Sequence, residues 1–187
     1  MNTNLRISNR NNWKDNSSTN KLTIVLFVIY LIVLFWILLF KLGVRFSYMA
    51  NRKVNLIPFR ELLISNGKSD FGEIIMNVII FIPLGIYAAI LFKRWAVAKN
   101  VFLFFLTSLM VETLQFTFRL GAFDVTDIIT NTLGGIIGLM TFKIIEKLFK
   151  NSMKAQKLIN VIAATGTILM LLFLLLLKTN NLPLRYQ

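Results

Sequence analysis

Five apolar stretches, at 22–40, 74–92, 101–118, 128–145 and 158–177, constrain this chain more than any other feature. Each comes close to the roughly 20 helical residues that cross a hydrocarbon core of about 30 Å, and each is bounded by charge. The pattern predicts an all-α integral membrane protein, a bundle of about five transmembrane helices, and excludes a water-soluble globule. With 187 residues, 56% of them hydrophobic, little chain remains for a separate soluble domain. The fourth stretch is the weakest by hydropathy, because Asp127, Thr130, Asn131 and Thr132 crowd its start and Lys143 stands at its end.

Residues 1–20 are rich in Asn and Ser with scattered Lys and Arg, too polar to bury a core, and read as a disordered cytoplasmic tail. The apolar run that follows is longer than a secretory signal core and has no small-residue cleavage site after it, so it reads as a retained helix. The membrane domain is expected over 22–145, with an additional C-terminal transmembrane helix at 158–177.

The net charge of +13 arises from Lys and Arg placed between apolar blocks, where they orient the spans and meet anionic lipid headgroups. Nucleic acid is not an expected partner. Lys93, Arg94 and Lys99 follow the second span, and Lys143, Lys147, Lys150, Lys154 and Lys157 follow the fourth. Both connections belong on the cytoplasmic side of a bacterial cytoplasmic membrane, which puts the N-terminus inside and the connection at 119–127 outside. The long connection at 41–73 opposes this assignment with six basic residues against three acidic ones. The chain has neither Cys nor His, so thiolate chemistry, disulfides and imidazole catalysis are excluded. No cofactor or metal motif is present.

Ionisable groups inside apolar spans cost on the order of 3 kcal/mol on insertion scales and generally have a partner or a function. Glu112 is the main case, and Gln115 and Arg119 share its helix face at i+3 and i+7. Asp124, Asp127, Asn131, Gly134 and Gly138 make a matching stripe if the fourth helix reaches upstream to 124, with Asp127 as a candidate cap. Gly134 and Gly138 offer a face for close helix approach. Asn77 near the start of the second span and Arg60 join these groups at one depth, near the outer headgroup boundary. Arg60 lies in a stretch at 52–64 whose Leu56, Phe59 and Leu63 read as an amphipathic interfacial face. Pro83, followed by Gly85, frees the carbonyl of Ile79 and predicts a kink in the second span. Each polar residue also has a structural reading: interhelical glue for Glu112, Gln115 and Asn77, a loop residue and a cap for Asp124 and Asp127, and simple packing for the glycines.

The segments Asn55-Leu56-Ile57-Pro58-Phe59, Asn77-Val78-Ile79-Ile80-Phe81-Ile82-Pro83-Leu84-Gly85, Glu112-Thr113-Leu114-Gln115, Arg119, Phe123-Asp124-Val125-Thr126-Asp127 and Asn131-Thr132-Leu133-Gly134-Gly135 occur in this order. Together, over 55–142, they closely resemble the VanZ-like family of bacterial membrane proteins. The resemblance implies a small multi-pass protein of a bacterial, often Gram-positive, envelope and an association with resistance to the glycopeptide teicoplanin. It implies no reaction.

Three functions remain open at this stage. In the first, a polar site formed by Arg60, Asn77, Glu112, Gln115, Arg119, Asp124, Asp127 and Asn131 binds a membrane lipid or lipid-like amphiphile. In the second, a membrane enzyme acts on a lipid headgroup, with Glu112 as general acid or base and Arg60 or Arg119 holding phosphate. A divalent cation on Glu112, Asp124 and Asp127 would be a variant of it. In the third, an intramembrane carboxylate couples protons to transport or lipid flipping. Acidic groups on both sides of the midplane would favour transport, and a one-sided cluster favours binding or headgroup chemistry.

Overall fold

The computed structural model describes residues 3–40, 54–60 and 71–178. Five long helices dominate it: α1 (Thr3–Phe40), α2 (Phe71–Leu91), α3 (Val97–Thr117), α4 (Val125–Phe149) and α5 (Ser152–Lys178). All five are long and apolar enough to cross a membrane. Two short strands, β1 (Val54–Asn55) and β2 (Phe123–Asp124), pair in parallel, Val54 opposite Phe123 and Asn55 opposite Asp124.

Several boundaries depart from the sequence expectation. Helix α1 begins at Thr3, so nearly all of the stretch read as a disordered tail is helical. The chain has no Gly before Gly43 and no Pro before Pro58, so nothing stops the membrane helix from propagating backwards, and adding residues to a formed helix is cheap compared with nucleating one. Conversely, Leu56–Phe59 forms a bend and a turn after β1 rather than a helical face. Phe59 sits at φ 57° after Pro58, which breaks the helical phase; Leu63 lies outside the described residues. Helix α4 starts at Val125, leaving Asp124 in β2 rather than on a helical stripe with Asp127.

The chain divides into two compact units. The larger, Phe27–Leu148, holds a core of Leu34, Leu38, Phe81, Leu84, Ala88, Phe104, Val111 and Leu139. The short connections between α2, α3 and α4 make them run antiparallel in sequence order. Helices α2 and α4 touch backbone to backbone. A Cβ at Gly85 would collide with the Gly135 carbonyl oxygen, and Cβ atoms at Gly134 and Gly138 would collide with those of Val78 and Ile82. Pro83 stays inside α2, where the hydroxyl of Tyr30 donates to the neighbouring Ile80 carbonyl at 2.9 Å.

The smaller unit joins the first part of α1, up to Leu26, to α5. Its contact is polar. Gln156 Nε2 donates to Thr23 Oγ1 at 2.8 Å and Asn20 Oδ1 at 3.0 Å, the Thr23 hydroxyl donates to Asn160 Oδ1 at 3.0 Å, and Asn160 Nδ2 donates to the Thr19 carbonyl at 3.2 Å. Asn151 begins α5, its Oδ1 accepting the amides of Met153 and Lys154.

Candidate functional site

At one end of the larger unit, the last turns of α3, the first turn of α4 and the start of α2 bring polar side chains together with the β1–β2 clip. Asp124 is its hub. Its backbone N–H donates to Glu112 Oε2 at 2.9 Å, its Oδ1 accepts the Thr126 amide at 2.7 Å, and its Oδ2 accepts Asn55 Nδ2 at 3.0 Å. The second of these bonds makes Asp124 the N-cap of α4, a role the sequence suggested for Asp127. A carboxylate here also complements the positive end of the helix dipole.

Asp127 is buried in the first turn of α4, and its Oδ1 accepts Asn77 Nδ2 from α2 at 2.8 Å. Glu112 is only 2% exposed. One turn deeper in the seam between α3 and α4, Asn131 Nδ2 donates to Ser108 Oγ at 2.9 Å. Since Ser108 and Glu112, like Asp127 and Asn131, are four residues apart on one helix face, the seam carries two stacked polar layers. Below them Gly135 packs against the ring of Phe104, and the interior turns apolar with Phe81, Phe104 and Phe142 fully buried.

Glu112, Gln115 and Arg119, expected on one helix face, turn to different surroundings. Gln115 is buried and turns its Nε2 to the Leu38 carbonyl near the end of α1, at 2.7 Å. Arg119 is exposed and sits at φ 59°. It occupies the left-handed position of a Schellman motif that closes α3, with the Leu120 amide donating to the Gln115 carbonyl at 2.8 Å and its own amide to Phe116 at 3.3 Å. Arg60 is likewise exposed, at the end of the turn after β1.

Thus the structure joins Asn77 to Asp127 and Glu112 to Asp124, places Asn131 one turn beneath, and leaves Arg60 and Arg119 at the surface. Among the described residues no three acidic side chains converge as they would around a metal ion. Sequence reasoning did not count Asn55, Ser108 and Thr126 among the site residues. Ser108 was detectable as a polar residue four positions before Glu112. Thr126, whose Oγ1 accepts the Phe59 amide at 3.0 Å, gave no local signal.

Comparison with known proteins places these elements in a wider set. Residues 27–149 match the family model described as VanZ/LLP1, nearly the same span as the larger unit. The chain is 37% identical over 164 residues to a curated protein of Enterococcus faecium named Protein VanZ, a match covering 86% of this chain and 94% of that one. No solved structure matches.

Proposed function

Because the chain belongs to the VanZ/LLP1 family, we propose that it is an envelope-resistance protein of a bacterial cytoplasmic membrane. Its polar cluster engages a lipid-like amphiphile or lipid-linked envelope component at the outer leaflet, and this engagement lowers the action of a lipid-tailed glycopeptide such as teicoplanin.

The observation that carries this reading is one-sidedness. Among the described residues the buried carboxylates are Glu112 and Asp127, both at one end of the larger unit, and beyond the neutral Ser108–Asn131 layer the buried interior is mainly apolar down to Asn100 at the far end of α3. A coupled transporter requires polar groups that continue across the midplane, so the distribution favours binding at headgroup depth over transport. Exposed Lys93, Arg94, Lys99, Lys143 and Lys147 gather at the opposite end, and under the positive-inside rule this supports a cytoplasmic position for that end and an outward-facing cluster. Exposed Leu56 and Ile57, beside the cluster, suit an alkyl chain better than water.

Expression in a susceptible Gram-positive host should raise tolerance to teicoplanin more than to a glycopeptide without a lipid tail. Equal protection against both would replace amphiphile recognition with a general change in the cell wall.

A further inference from the structure

Helix α3 begins with charge of the wrong sign for its own dipole. Its N-cap, Ala96, makes no side-chain hydrogen bond, and the first turn holds no acid but does hold Lys99. The amides of Lys99 and Asn100 donate to the Ala96 carbonyl at 3.0 and 3.3 Å, and those of Val97 and Ala98 have no acceptor among the described residues. Asn100 does not serve them. Buried at 3% exposure, it turns its Nδ2 back to the Ala96 carbonyl at 3.4 Å, and its Oδ1 has no partner. A lysine at the positive end of a helix is unfavourable, and an anion bound there offsets it.

The packing of the larger unit brings more positive charge to the same level. Asn131 meets Ser108 and, one turn on, Gly135 meets Phe104, so α3 and α4 pass each other turn by turn and Lys143 comes level with Ala96. Helix α4 runs alongside α2 in the same direction, Gly134 against Val78 and Gly138 against Ile82, which brings Lys147 level with Leu91, the last residue of α2. Arg94 lies in the connection from α2 to α3. Arg94, Lys99, Lys143 and Lys147 are all exposed, and the only acid within 92–100 and 143–148 is Glu146.

Exposed apolar side chains accompany these bases. Ile144 and Leu148 each follow a lysine along α4, Val97 opens α3, and Trp95, 41% exposed, stacks on Phe92 with ring centroids 4.3 Å apart. Tryptophan at the end of a span marks headgroup depth. An acidic protein or a free anion would use the bases and leave the apolar surface in place. A phospholipid uses both: its phosphate accepts from the basic groups and the unpaired α3 amides, and its acyl chains lie along Ile144 and Leu148.

We propose that the connection from α2 to α3 and the end of α4, together with the unpaired amides at the start of α3, form a binding site for the headgroup of an anionic phospholipid. The site lies at the opposite end of the larger unit from Glu112 and Asp127, so it stands or falls independently of the function proposed above.

The test uses the full chain in neutral maltoside micelles, with thermal unfolding followed as phosphatidylglycerol or phosphatidylcholine is added at low mole fraction. Phosphatidylglycerol should raise the unfolding temperature and phosphatidylcholine should not. Lys99→Gln with Lys143→Gln should need about tenfold more phosphatidylglycerol for the same rise. Lys150→Gln with Lys154→Gln, the same loss of charge at exposed bases outside the larger unit, should respond like the parent. Equal action of the two lipids, or equal weakening in the two pairs, would overturn the site and leave only a diffuse attraction to net charge. Lys99→Glu supplies the missing negative charge from the chain itself and decides the matter should the first pair not fold. It should unfold at a higher temperature without lipid and lose most of the gain from phosphatidylglycerol; a gain of parental size would overturn the proposal.

Discussion

Asp124 engages its backbone amide and both carboxylate oxygens within the chain, and this changes how its neighbours are to be tested. Glu112→Ala would leave the Asp124 amide without its acceptor, at a cost of about 1–3 kcal/mol, so its loss of function would be ambiguous. Glu112→Gln can present its amide oxygen to the same N–H. Protein abundance in the membrane should therefore stay near that of the parent while tolerance to teicoplanin falls to that of cells lacking the protein. An equal loss of abundance in the Gln and Ala variants, read by immunoblot, would reduce Glu112 to a structural residue. Rescue by a second change at Arg119 is not expected, because the Arg119 side chain is exposed rather than buried beside Glu112. Arg119 instead holds a left-handed conformation that glycine adopts without strain. Arg119→Gly should stabilise the chain by about 1 kcal/mol in thermal unfolding. If the guanidinium serves the site, the same variant loses tolerance despite its greater stability, and unchanged tolerance would remove Arg119 from it.

Among the elements, the long helices were legible because their signal is a sum over many residues, and the clip was not because β1 and β2 are two residues each. A strand that short has no periodicity, and its pairing joins positions far apart in sequence. The same non-locality hid the Phe59 to Thr126 bond, and with it the reason that the turn after Pro58 sits on the cluster. The approach of α2 to α4 was legible in the spacing of Gly134 and Gly138, and the structure adds Gly85 as its counterpart. Gly138→Ala drives a methyl group into the Ile82 carbonyl and should destabilise by about 1–3 kcal/mol, the range for overpacking, with a matching fall in unfolding temperature. Gly72→Ala meets nothing within 4 Å and should be neutral or mildly stabilising. Similar losses at both positions would mean that helix contact is not what the glycine at 138 provides.

At the scale of the whole molecule, the larger unit and the family match cover nearly the same residues, Phe27–Leu148 and 27–149. The amphiphile reading requires the end of that unit bearing Glu112 and Asp127 to face outward, and the sequence supplies an internal conflict: basic connections after the second and fourth spans against a basic connection at 41–73. Charge counted over short loops should prevail, since long connections translocate with less regard to their charge. The chain has no Cys, so a single introduced thiol reports its own side of the membrane without a background. Ala122→Cys lies in the connection between α3 and α4, and Ala98→Cys lies at the exposed start of α3. With an impermeant thiol reagent on intact cells, Ala122→Cys should be labelled and Ala98→Cys should be labelled only after the membrane is opened. The reverse pattern would turn the molecule over and place the cluster in the cytoplasmic leaflet. An amphiphile arriving from outside would then have no direct route to Glu112, and any effect on teicoplanin would have to come from an altered envelope.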